Sequence, residues 1–159
     1  MPADHHLRSV EPPWVELLVL NEGERYDPVV HLPDGFLVRV VHGRKCKTKK
    51  GLLSEFARVL DFPSYYGKNW DALDECLTDL EWLPAQGYLL VITDAEQVLR
   101  HHHEDYRDLI RILQWAGKEW ATPQTDGRSR PAIPFHVLFT VPDAQKAKGK
   151  NWDLPRVQR

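Results

Sequence analysis

Two cysteines, Cys46 and Cys76, are all the thiol chemistry this chain of 159 residues has. Two thiols cannot build a disulfide framework or a four-cysteine zinc site, so they read as buried free thiols in a reducing compartment. No apolar run approaches the roughly 20 residues that cross a bilayer. The first eight residues place no hydrophobic segment behind a positive charge, so no secretory signal is expected. The chain reads as a cytoplasmic protein without a membrane partner. Charge of one sign is also missing: 21 Lys and Arg stand against 23 Asp and Glu, a net charge of −2. That excludes a generally basic nucleic-acid coat. Neither a phosphate-binding loop nor a dinucleotide fingerprint occurs, no internal repeat is present, and no cofactor is implied.

What is present is enough for one domain: 42% hydrophobic and 10% aromatic residues, too many for a disordered chain. Residues 14–20 (WVELLVL), 36–41 (FLVRVV), 88–93 (YLLVIT) and 135–141 (FHVLFTV) read as strands, and the third is apolar enough to be buried on both faces. Val29 and Val30 form a further short apolar piece. Thr48 caps a helix whose face is Leu52, Leu53, Phe56, Val59 and Leu60, and Asn69 caps a second running to about residue 80, with Leu73, Cys76, Leu77 and Leu80 inward. Asp94 to Gln97 has the form of a capping box opening a short helix. A longer helix follows over about 104–120. From residue 36 the order is β-α-α-β-α-α-β, which implies parallel strands joined by right-handed crossovers. The expected fold is α/β, a small three-stranded parallel sheet packed with about four helices, with 14–20 as a possible extra edge strand. Residues 1–33 are expected as an N-terminal extension, 34–141 as the domain, and 142–159 as a loose, polar, basic tail.

Charge is unevenly distributed. Residues 61–96 hold eight acids and one base, Lys68, whereas residues 44–50 hold five bases and no acid. On the second helix Asp71, Glu75 and Asp79 follow one another at i, i+4 spacing, with Asp74 on the adjacent stripe. This is either a solvated acidic face or a docking surface for a cationic partner. Tyr65, Tyr66 and Gly67 stand just before it; tyrosines beside charges supply rigid contact area, although one of the pair is expected in the core. Asp71 and Glu75 as an acid–base pair lack a neighbouring nucleophile, so catalysis is not expected. His101, His102 and His103, and His5 and His6, lack the spacing of a metal site. The basic run reads as a solvated loop more readily than as a nucleic-acid site, because aromatics do not interleave it.

The segment Phe62-Pro63-Ser64-Tyr65-Tyr66-Gly67-Lys68-Asn69-Trp70-Asp71-Ala72-Leu73-Asp74-Glu75-Cys76-Leu77-Thr78 resembles the barstar family, intracellular inhibitors of barnase-type bacterial ribonucleases. The resemblance extends more loosely over 36–141. It implies an immunity-type inhibitor, monomeric when free, whose acidic helix and preceding loop occlude a cationic active site. Asp71 and Glu75 would replace RNA phosphate there, with Tyr65 beside them. The wider expected partner-binding set is Tyr65, Tyr66, Gly67, Asp71, Asp74, Glu75 and Asp79. The chain departs from the family pattern at Glu75, one methylene longer than the usual Asp, at Asp74 and Leu80, where Trp is familiar, and at Trp115, where an acid is. The same fold serving a partner that is not a ribonuclease is the alternative.

Overall fold

The computed structural model describes residues 6–28, 32–127 and 129–159; Val29, Val30 and His5 lie outside them. Strands β1 (Val15–Val19), β2 (Phe36–His42), β3 (Gly87–Thr93) and β4 (Phe135–Val141) form one parallel sheet in the order β1-β4-β3-β2. Helices α1 (Lys49–Val59) and α2 (Trp70–Asp79) lie between β2 and β3, and α3 (His103–Ala121) between β3 and β4. The short α4 (Ala144–Ala147) follows β4.

The sheet has four strands, not the expected three: β1 is a full member, with Val15 opposite Val137 and Val19 opposite Val141. Its place explains the chain path. Successive crossovers from β2 to β3 to β4 move one way along the sheet, so right-handedness keeps their helices on one face. The connection from β1 back to β2 moves the other way and must cross the opposite face. Two apolar clusters match these two faces. Tyr88, Leu90 and Ile92 of β3 pack with Phe135, Val137 and Phe139 of β4 under Leu53, Phe56, Leu73, Leu77, Leu109 and Leu113 of the helices. Leu89, Val91, Leu138 and Leu18 face the other way and are covered by Leu7, Leu20, Tyr26 and Leu32. That double cover is why β3 lacks polar alternation.

The last 18 residues are not a loose tail. Asp143 caps α4 through Lys146 N–H at 2.9 Å, and Trp152 is only 5% exposed. The Tyr106 hydroxyl donates to the Trp152 carbonyl at 2.8 Å. Leu17 N–H donates to the Pro155 carbonyl at 2.9 Å and Val157 N–H to the Leu17 carbonyl at 2.8 Å. The tail thus satisfies backbone groups along the outer edge of β1, which would otherwise stand open for pairing. Its polar composition conceals the Trp152 anchor.

The expected capping box at Asp94 is also absent. Asp94 takes a left-handed conformation (φ 47°), a 3-10 turn (Ala95–Gln97) follows, and no side-chain cap forms. Its carboxylate instead accepts from Arg44 Nε at 3.2 Å. Gly43 permits this approach, since a Cβ there would lie 2.3 Å from the Thr93 carbonyl oxygen.

Candidate functional site: an acidic helix and its tyrosine loop

Helix α2 begins where Asn69, in extended backbone, accepts from Ala72 N–H at 2.7 Å. Asp71 in the first turn complements the positive end of the helix dipole. Leu73, Cys76 and Leu77 are buried, and the helix ends at Leu80 in the left-handed region (φ 46°). Helix α3 clamps this end, because the Trp120 indole N–H donates to the Leu77 carbonyl at 2.8 Å. The inward stripe thereby fixes the direction of the outward one, on which Asp71, Glu75 and Asp79 are exposed.

The tyrosines before the helix divide their roles. Phe62 meets Tyr66 edge-on at 4.8 Å and Trp82 at 6.1 Å, and the Trp82 indole donates to the Leu60 carbonyl at 2.9 Å. Tyr66 is therefore the anchored residue, and Tyr65 projects with 77% of its surface exposed. Burial, with Cys76 nearby, pushes the Tyr66 hydroxyl above the usual tyrosine range. That hydroxyl is buried without a hydrogen-bond partner among the described residues.

A cleft of about 280 Å³ lies between loop and helix, with Tyr65, Tyr66 and Gly67 on one side and Asp71, Glu75 and Cys76 on the other. Asp74 and Asp79 do not join it. Asp74 turns toward α3 and shares a smaller cleft of about 220 Å³ with Trp70, Asp71, Asp108 and Arg111. Burial raises its pKa, and Asp71, Glu119 and Glu75 raise it further. Asp79 lines a third cleft together with Glu119 and Arg130. The sequence did not single out Asp108 and Arg111, which pair with each other one turn apart on α3. Their signal was the i, i+3 spacing opposite the inward stripe of Tyr106, Leu109 and Leu113.

The thiols are poor nucleophiles here. Burial, with Glu55 adding, pushes Cys46 up to about 12, and burial followed by Asp79 and Glu75 also raises Cys76. Among the described residues, no three His, Cys, Asp or Glu side chains gather as a metal site; His103 instead stacks on Tyr106 at 6.4 Å. No helix is long and apolar enough to cross a membrane among the described residues.

Comparison with known proteins points the same way as the loop and helix. The chain is 32% identical over 75 residues to a Bacillus subtilis (strain 168) protein named "Putative ribonuclease inhibitor YrdF", a match covering 47% of this chain and 82% of that one. Among solved structures, the ORC2 protein of Aeropyrum pernix in ADPNP and ADP complexes superposes with a TM-score of 0.53 at 14% identity. That match covers 83% of this chain and 36% of the other, and at such identity it speaks for the α/β fold alone. Residues 36–140 match the model of the family described as Barstar (barnase inhibitor). This chain belongs to the Barstar (barnase inhibitor) family.

Proposed function

We propose that this protein inhibits a barnase-like ribonuclease by seating α2 and the Tyr65 loop in the enzyme's cationic active site. The observation that carries the reading is the single cleft on which Asp71, Glu75 and Tyr65 converge. Two carboxylates one helical turn apart offer oxygen pairs to arginine and lysine side chains arranged for RNA phosphate. Tyr65 adds exposed ring area at low entropic cost, because Phe62 and Tyr66 hold its loop from behind. Asp74, Asp79 and the backbone at Gly67 form the flanks of the contact. The protein acts by occlusion rather than catalysis. It serves as an immunity protein in the cytoplasm of a bacterium that makes the nuclease, and it is monomeric when free.

Titration of a barnase-type ribonuclease with the protein tests this. Full inhibition at stoichiometric ratio is expected, and Asp71→Ala or Glu75→Ala should each weaken binding by more than about 2 kcal/mol. That is the hot-spot scale of which the barnase–barstar pair is itself a standard example. The association rate should fall as salt rises, as for any docking between opposite charges. Undiminished affinity in both variants would remove the docking model. Tight, salt-sensitive binding to a cationic protein without ribonuclease activity would favour the same surface acting on another class of partner.

A further inference from the structure

A second charged surface lies at the opposite sign and on a different part of the molecule. The segments that follow β3 and β4 enclose a cleft of about 580 Å³ lined by Arg100, His101, His103, Lys146, Lys148 and Lys150, with Glu96 its single acid. Lys150 is the most telling of these. Its ammonium rests 4.1 Å from the centre of the Tyr106 ring and 4.9 Å from that of Trp152. It is half-buried, and burial alone lowers its pKa. None of the four cations pairs with a carboxylate among the described residues; Arg100 bonds only the Gln97 side-chain oxygen, at 3.1 Å. Other surface arginines do find acids, as Arg44 finds Asp94 and Arg111 finds Asp108. Desolvating a cation without a counter-ion costs free energy that a bound anion returns.

We propose that this cleft binds a polyphosphate group, free or carried by a small nucleoside. Its size lies within the range of small-molecule sites, roughly 300–1,000 Å³. Three of its four cations are lysines, point charges with rotatable donors that suit phosphate oxygens from several directions; a planar carboxylate favours arginine. The lysines alternate along one segment around Gly149, whose φ of +80° is open only to glycine at little cost. Trp152, Tyr106 and the cap at Asp143 hold that segment in place, so the charges are positioned before a ligand arrives.

Isothermal titration calorimetry of the full chain decides the matter, with tripolyphosphate, ATP and a single-stranded oligoribonucleotide as separate probes. Tripolyphosphate should bind at one site, with affinity falling as salt rises. Lys148→Glu, a change at an exposed position, should weaken it about tenfold or more. Lys50→Glu makes the same change in net charge within the other basic run, outside the cleft, and should leave affinity within about twofold. ATP binding more tightly than tripolyphosphate assigns the site to a nucleotide, and equal affinity assigns it to the phosphate chain. Absence of binding by both, equal loss in the two variants, or binding of the oligonucleotide alone would overturn the proposal. Ribonuclease inhibition should be unchanged in Lys148→Glu, so this outcome stands or falls apart from the acidic-face reading.

Discussion

Several residues carry charge states that the fold sets and that sequence alone does not disclose. Glu55 is buried on α1, and burial pushes its carboxyl up. Arg58 Nε at 2.9 Å, His42 N–H at 2.9 Å and His42 Nδ1 at 3.0 Å outweigh that and hold it at about 2. A depressed carboxyl stabilises the fold above its unfolded value of about 4.5, and the contribution is lost as pH falls toward 2. Glu55→Gln should therefore flatten the acid limb of a stability-against-pH curve measured by denaturant titration. His136 behaves differently. Buried on the second face, its Nε2 lies 2.6 Å from the Ser9 carbonyl, so that nitrogen carries the proton and donates. Burial lowers its pKa to about 4 from 6.5. Between those values the unfolded chain binds a proton that the native one refuses, so stability falls as pH drops from 6.5 to 4. His136→Gln should remove that loss, read by thermal melts at several pH values. Asp74 is an acid held among acids. Asp74→Asn should raise the stability of the free protein by about 0.5 kcal/mol in a melting experiment.

At the scale of elements, α2 is positioned by its ends. Asn69 supplies the start and Trp120 fastens the finish. Asn69→Ala should cost about 1 kcal/mol of stability and fray the turn that carries Asp71; denaturant titration and exchange of the Ala72 amide would show both. Most of this helix is legible in the sequence, because Asn69, the Leu73/Cys76/Leu77 stripe and the acidic stripe all agree on one period. Which tyrosine faces out is legible only through the family resemblance, which names Tyr65, and not from local composition. Tyr65 and Tyr66 have the same chemistry, and only the position of Phe62 and Trp82 decides between them. Asp74 likewise shares a stripe boundary, and the approach of α3 turns it out of the cleft that holds Asp71 and Glu75.

Across the whole molecule, the strands at 36–42, 87–93 and 135–141 show themselves through local composition, since each is a short β-rich apolar run. The strand at 14–20 shows itself too, as a possible edge strand, but its partner does not. A strand's partner in a parallel sheet can lie anywhere in the chain, and β1 pairs with β4 across most of the chain, Val15 lying opposite Val137. The tail escapes a composition reading for the same reason: Trp152 is buried only because Tyr106 and Ala147 receive it. Long-range assembly hides its evidence from any window of sequence.

The edge formed by β1 therefore has a history in time. This strand leaves the ribosome before every other strand of the sheet, whereas its inner neighbour β4 and the 155–157 segment along its outer edge come only after β3. Between those moments β2, α1, α2 and β3 can pair locally, while β1 waits with both edges open and Leu17 and Leu18 uncovered. Contacts of such sequence separation form slowly. Late closure of one edge, rather than formation of the acidic helix, is where a nascent chain of this protein is most exposed to misassembly.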